Sequence, residues 1–159
     1  MSRFKGDHYC KVDSKGRILF PSKLKKQMPA EANDIFIGKM NSFENSLVLY
    51  PENVWNRLVS RTLKKLNPYK AKHNKFKRDF FRDVIEMELD SSGRVLLSKR
   101  FLGKLGIEPG QGEEVVLAGQ GDVVELMSKS KYEVTQLTDE QRVSIAEEVM
   151  DDFEWEDEE

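Results

Sequence analysis

The sequence predicts an α+β fold, mainly β, in which two tandem copies of one small unit share a single body. Three observations carry that prediction. Val12-Asp13-Ser14-Lys15-Gly16-Arg17-Ile18-Leu19 is echoed 77 residues later by Leu89-Asp90-Ser91-Ser92-Gly93-Arg94-Val95-Leu96. The same spacing carries Leu47-Val48-Leu49-Tyr50 onto Val124-Glu125-Leu126-Met127, and Trp55 onto Tyr132. Between these anchors, Ile35-Phe36-Ile37-Gly38 matches Val115-Val116-Leu117-Ala118 best at a spacing of 80, as a duplication with compensating loop lengths would.

Each copy then reads the same way. A short strand (Tyr9 to Val12; Val84 to Leu89) runs into Asp-Ser-x-Gly, and a second apolar strand follows (Arg17 to Phe20; Arg94 to Leu97). Asp at the first turn position and Gly at the fourth predict a type I turn whose Gly takes positive φ and closes a bulged hairpin. The Asp carboxylate is placed to accept backbone N–H groups and to pair with the Arg four positions on. A short helix is expected next (Pro21 to Gln27; Ser98 to Leu105), with Pro21 suited to a first helical turn, where its missing N–H costs nothing. Two further strands (Ile35 to Lys39 with Ser46 to Tyr50; Val115 to Gly119 with Val123 to Met127) precede a closing helix in each copy.

The first closing helix starts at Pro51 and shows Val54, Trp55, Leu58, Thr62 and Leu66 at helical spacing up to Asn67-Pro68. Tyr69, His73, Phe76 and Phe80 form an aromatic stripe on a connecting helix, and these aromatics with Phe81 are expected in the core or at a subunit interface. Thr138-Asp139-Glu140-Gln141 is a capping-box start for the last helix, with Val143, Ala146 and Met150 on one face. The resulting division is a first unit at 1–68, a helical connector at 69–83, a second unit at 84–150 and an acidic tail at 151–159, expected to be disordered. The two copies should complete each other's sheet as a pseudo-twofold, β-barrel-like body, and leftover strand edges favour an oligomer.

Charge is distributed unevenly along the chain. Over the whole sequence the net charge is −2, yet residues 1–78 hold 18 Lys and Arg against 6 acids, while residues 79–159 hold 8 against 22. Such asymmetry points to a polyanion-binding front half and an acidic appendage. Residues 1–27 are locally +6 and residues 84–105 only +1, so a single polyanion-contacting copy would be the first. The stretch Arg57 to Arg82 carries ten bases and one acid, Asp79, and reads either as a second phosphate surface or as an outward helical face. The longest apolar runs are a few residues, so no membrane span is expected. Nor does the start Met-Ser-Arg-Phe-Lys-Gly-Asp have the apolar region of a secretory signal. Cys10 is alone, His8 and His73 have no partners at metal spacing, and no phosphate-cradling or nucleophile motif occurs. Neither metal, cofactor nor enzymatic activity is expected.

The stretches Phe4-Lys5-Gly6, Val12 to Leu24, Asp90 to Arg94 and Val115 to Asp122 together resemble the MraZ family, in order and spacing, over roughly residues 3 to 150. The resemblance implies AbrB-like, swapped-hairpin units in a double-split, barrel-like body with surrounding helices, assembled into ring-shaped homo-oligomers. It also implies a cytoplasmic, nucleoid-associated regulator that binds short direct repeats in promoter double-stranded DNA of a division and cell-wall gene cluster, usually as a repressor. Three positions depart from the family pattern: Ser98 stands where the first copy has Pro21, Ser92 where it has Lys15, and Lys5 where Arg is common.

The candidate DNA-binding residues are Arg3, Lys5, Lys15, Arg17 and Lys23, with Asp13, Gly16, Asp90, Gly93 and Arg94 forming the turn motifs. Lys15 has no evident structural task. Two readings of Arg17 stand open, a guanidinium aimed at a base edge or one locked to Asp13. The alternative from another class is an antitoxin-like interaction module that uses the acidic C-terminal tail.

Overall fold

The computed structural model describes residues 3–152. The first copy supplies β1 (Phe4–Lys11), β2 (Arg17–Leu19), α1 (Ser22–Lys26), β3 (Ile35–Met40), β4 (Leu47–Pro51) and α2 (Glu52–Lys64). After α3 (Ala71–Phe80), the second supplies β5 (Val84–Glu88), β6 (Arg94–Leu96), α4 (Lys99–Lys104), β7 (Glu114–Gly121), β8 (Val123–Ser128), α5 (Lys129–Val134) and α6 (Asp139–Met150). The strands form a six-stranded antiparallel sheet in the order β1-β7-β8-β4-β3-β5 and a separate ribbon of β2 with β6. This is the expected α+β, mainly β class.

The sheet is built by exchange. β1 of the first copy pairs along its whole length with β7 of the second, and β5 of the second pairs with β3 of the first. The two hairpins meet at β4 and β8, where Leu47, Val48 and Leu49 face Leu126, Glu125 and Val124. Under the 77-residue repeat this set maps onto itself, so a pseudo-twofold axis passes between Val48 and Glu125. The ribbon obeys the same axis, with Arg17, Ile18 and Leu19 facing Leu96, Val95 and Arg94.

Pairing also corrects one sequence match. Val48 faces Lys39 and Glu125 faces Ala118, so Lys39 and Ala118 are the equivalents, at a spacing of 79 rather than 80. The apolar runs align best at 80 by residue type. Hydrogen bonding decides otherwise, because a one-residue slip would turn each side chain to the opposite face.

The shared core draws on both copies, with Ile18, Leu24, Phe36, Leu47 and Leu49 fully buried alongside Leu102, Val115, Leu117, Val124 and Leu126. Phe36 packs between Phe20 and Phe4, at ring centroid distances of 5.1 and 6.1 Å. Trp55 on α2 is buried beneath Phe80, stacked at 5.7 Å and 12°. Of the aromatic stripe, Phe80 is half-buried against Trp55, whereas Tyr69 lies before α3 and is 94% exposed, and Phe76 and Phe81 are also exposed, so these three lie outside the core of the single chain. His73 has a local task, accepting the Asn67 N–H at Nδ1 (2.9 Å).

Helix starts differ between copies but serve alike. Pro21 sits at the N-cap of α1 with φ −57° and ψ 134°, one position earlier than expected. Ser98 caps α4 by accepting the Phe101 N–H at Oγ. Replacing Pro by Ser thus exchanges a fixed φ for a capping hydrogen bond, and the helix forms either way. The capping box at Thr138 and Gln141 forms as expected.

One buried carboxylate lies on the axis. Glu125 accepts from Ser46 Oγ (2.6 Å), Gln120 Nε2 (2.8 Å) and Asn41 Nδ2 (3.3 Å), joining the two copies through side chains. Ser46 is fully buried, so it has no water to turn to. Glu125→Ala should cost about 2–3 kcal/mol, seen as a Tm fall of about 5–10 °C in thermal unfolding. A change below 1 °C would show that the seam does not need this cluster.

Candidate nucleic-acid interface

Each Asp-Ser-x-Gly segment forms the expected turn. The Gly16 N–H donates to Asp13 O (3.0 Å) and the Asp13 N–H to Arg17 O (3.0 Å), with Gly16 at φ +84°. In the second copy Gly93 N–H donates to Asp90 O (2.9 Å) and Asp90 N–H to Arg94 O (2.9 Å), with Gly93 at φ +77°. Both aspartates accept two backbone amides inside their own loop, Lys15 and Arg17 on Asp13, Ser92 and Arg94 on Asp90. Those amides hold both carboxyls below the ordinary range, the amide of Arg17 contributing most at Asp13 and that of Arg94 most at Asp90.

The exchange extends to the turns. Gly16 O accepts from Leu97 N (2.9 Å), and Gly93 O accepts from Phe20 N (2.9 Å), so each loop is tied to the strand end of the other copy. Val12 N and Leu89 N likewise donate to Glu113 O and Asp34 O in the opposite copy. Antiparallel pairing of β2 and β6 then places the two turns at opposite ends of the ribbon.

Arg17 satisfies both open readings in part. Its Nε donates to Asp13 Oδ2 at 2.8 Å, so the turn does lock it. Because the pair uses Nε, the terminal nitrogens are left without a partner among the described residues, on a side chain 42% exposed. Arg94 makes no matching side-chain bond to Asp90 among the described residues, though its charge favours the carboxylate. Alternation along the ribbon buries Ile18 and Val95 and turns Arg17, Leu19, Arg94 and Leu96 outward, Leu19 and Leu96 being exposed. The two outward leucines were missed as surface residues, although period-2 alternation about Ile18 signals them.

The remaining candidates fall into two groups. Lys15 is exposed at the turn beside Arg17. Lys5 is exposed near the start of β1, where its N–H donates to Gln27 Oε1 (3.3 Å), one helical turn from the exposed Lys23; Arg3 is also exposed at this end. β1 separates the groups by about 20 Å, the length of six extended residues. The candidates thus form one group at the turn and one toward the start of β1.

The two copies differ at this far end. Asp83, in the left-handed region with φ +56°, pairs with both Arg100 and Lys104 on α4. Its counterpart at the 77-residue spacing is Gly6, also at positive φ, and the counterparts of Arg100 and Lys104 are Lys23 and Gln27. Lys23 therefore has no acid at the position equivalent to Asp83, whereas the second copy's Arg100 and Lys104 are both paired to it. Beside the second turn a depression of about 840 Å³ runs from Tyr9, Cys10 and Lys11 to Ser92 and Gly93. The Cys10 thiol there is pushed up to about 11, by burial and then by the charge of Glu114, so it is not a reactive thiolate.

Together these features define a class: a duplicated, strand-exchanged β protein whose axis relates two aspartate-capped turns, one cationic and one neutral. The chain matches the family described as "MraZ protein, putative antitoxin-like" twice, over residues 3–79 and 80–154. It is 42% identical over 151 residues to the transcriptional regulator MraZ of Christiangramia forsetii, covering 93% of this chain and 94% of that one. Proteins of the same name from Phocaeicola vulgatus (34% over 148 residues, 93% and 94% covered) and Pediococcus pentosaceus (32% over 149, 93% and 97%) are also similar. The chain belongs to the MraZ family.

Two predictions follow from the turn geometry. A Cβ at Gly16 would lie 2.5 Å from Leu97 O, whereas one at Gly93 meets nothing nearer than 4.0 Å. Both Gly→Ala changes incur about 1–2 kcal/mol for a left-handed alanine, and Gly16→Ala also forces backbone apart. Urea unfolding should rank Gly16→Ala clearly below Gly93→Ala, and equal stabilities would refute the asymmetry. A depressed carboxyl stabilises the fold fully above the ordinary Asp value of about 3.9 and loses that contribution as pH falls through the lower folded value. Stability measured from pH 5 to pH 2 should therefore fall less steeply in Asp13→Asn than in the parent chain.

Proposed function

We propose that this chain regulates transcription by sequence-specific binding to double-stranded DNA, and that its first copy is the reader. The family relationship supports a transcriptional role, since the named relatives are transcriptional regulators. The observation that carries the choice of copy is the difference in charge between equivalent positions: Lys15 corresponds to a neutral Ser92, and Lys23 and Gly6 correspond to Arg100 and Asp83, which pair with each other. Phosphate contacts supply affinity and base contacts supply sequence.

In this reading the Asp13–Arg17 turn enters a groove, with the turn amides on Asp13 fixing its shape. Lys15 and the free terminal nitrogens of Arg17 meet base edges. Arg3, Lys5 and Lys23 meet phosphate at the other end of β1, about 20 Å away, or about six base pairs. The unit at 1–68 contacts DNA, 69–83 connects, and the unit at 84–150 is its structural partner. The matching motif of Asp90, Gly93 and Arg94 keeps the second turn in register. Copies of the chain assemble into a ring-shaped homo-oligomer that spans short direct repeats in the promoter of a division and cell-wall gene cluster, acting as a repressor on the nucleoid in the cytoplasm. No helix among the described residues is long and apolar enough to cross a membrane.

The acidic C-terminal sequence and the antitoxin-like description of the family favour one other reading, a module that wraps a basic protein partner. Most of that tail, residues 153–159, and the expectation that it is disordered lie outside the described residues.

Titration against the chain's own upstream DNA and a scrambled duplex, at several salt concentrations, separates these readings. The regulator should bind its own sequence far more tightly, with affinity falling steeply as salt rises. Lys15→Ala should weaken specific binding about tenfold or more at unchanged Tm, while Ser92→Ala stays within twofold. Equal weak binding to both duplexes would refute the DNA reading and leave the protein-partner one.

A further inference from the structure

The outer face of the β2–β6 ribbon joins apolar and cationic side chains that the rest of the chain leaves uncovered. Ile18 and Val95 point into the core, so Arg17, Leu19, Arg94 and Leu96 make up the outward face. Leu19 and Leu96 are 56% and 61% exposed. A leucine exposed singly is ordinary. These two share one short ribbon, and each stands directly opposite an arginine: Leu96 faces Arg17, and Leu19 faces Arg94. Residues so placed on antiparallel strands hold their Cβ atoms about 4.5–5.5 Å apart. The apolar neighbour of Arg17 is therefore Leu96, which belongs to the other copy.

The two leucines have different surroundings. A Cβ at Gly93 would lie 4.0 Å from Leu19 Cδ1, so Leu19 leans toward the second turn, where Ser92 is neutral. Leu96 stands at the other end of the ribbon. There Gly16 O accepts the Leu97 N–H, which carries the first turn, with its exposed Lys15, alongside Leu96. A second copy laid on this face about a twofold axis would bring arginines against arginines, so like charges oppose a self-contact. The major groove of DNA suits both kinds of side chain. It admits a two-stranded β-ribbon, presents guanine acceptors to arginine, and offers one apolar group, the C5 methyl of thymine.

We infer that Leu96 is a specificity residue, seating its side chain against a thymine methyl beside the base that Arg17 contacts. This rests on the DNA reading above and gives the second copy a share in recognition. With Cβ atoms about 5 Å apart and successive base pairs about 3.4 Å apart, that thymine lies one or two base pairs from the Arg17-contacted base. Losing one methyl from an apolar contact corresponds to about a three- to fivefold loss of affinity. Leu19, beside the neutral turn, serves as the internal comparison.

The test uses the full chain and its own upstream duplex, with each thymine replaced in turn by deoxyuridine. That exchange keeps base pairing and removes only the methyl. Fluorescence anisotropy should show the parent chain losing about three- to fivefold in affinity at one or two of these positions. Leu96→Ala should bind the unmodified duplex that much more weakly and be indifferent to deoxyuridine at the same positions. Leu19→Ala should keep the parent's penalty. Both variants should melt with the parent, since both side chains are exposed. Parent binding that no deoxyuridine weakens would overturn the inference, as would a penalty that persists in Leu96→Ala. A penalty abolished by Leu19→Ala instead would assign the contact to the second turn and overturn it too. In each of these cases the DNA reading itself stands, provided that the parent chain prefers its own duplex to a scrambled one. A parent chain without that preference would overturn both.

Discussion

Strand exchange between the copies is the constraint on which the rest depends. The outer side of the β7–β8 hairpin is closed by β1 of the other copy, and the outer side of β3–β4 by β5. A copy folded alone would leave those two sheet edges open and half of the shared core uncovered. An edge of unpaired amides and carbonyls in a small sheet invites aggregation, so the duplication works as a condition of folding more than as an enlargement. The same exchange reaches the two Asp-Ser-x-Gly turns. Gly16 and Gly93 are each held by the backbone of the opposite copy, so the shape of a turn in one half is set partly by residues of the other.

A symmetric backbone carries asymmetric chemistry. Pairing at both the sheet centre and the ribbon maps onto itself under exchange of the copies. Against that background, single substitutions change what each half offers to a polyanion. Asp83 pairs with two cations on α4, and the equivalent position beside α1 is a glycine, which offers no carboxylate. Positive φ at both positions explains how Gly and Asp alternate there, since aspartate is among the few side chains that tolerate that region. Duplication supplied the frame, and divergence at a few surface positions gave one half a charge that the other lacks.

Much of the fold is legible in the sequence because the signals are local. An Asp-Ser-x-Gly segment specifies its own turn, and the capping box at Thr138 specifies its own helix start. Mutual completion of the sheet follows from the smallness of each copy, although which strand crosses to which hairpin does not. The register of β3 against β7 was misread by one residue, because apolar runs align by composition while hydrogen bonds align by geometry. At the candidate site, the charge of the first copy was visible. The loss of the second copy's cations to Asp83 was not, since Asp83 and Arg100 lie 17 positions apart and meet only after folding. Glu125 was likewise hidden inside an apolar anchor segment, its three donors drawn from other strands and the loop between β3 and β4.

The exchange also sets a timetable for synthesis. Phe4 finds its partner at Gly121, so β1 leaves the ribosome more than one hundred residues before the strand that will receive it. At ordinary elongation rates that interval is roughly 5–20 s, very long compared with hairpin formation. During it β1 must neither pair wrongly nor bind a neighbouring nascent chain. Its alternation of Lys5, Asp7 and Lys11 with less polar residues suits that wait, because charges on an unpaired strand discourage edge-to-edge association. Charges that stand exposed along β1 in the finished sheet thus serve first as protection for a strand that is made early and placed late.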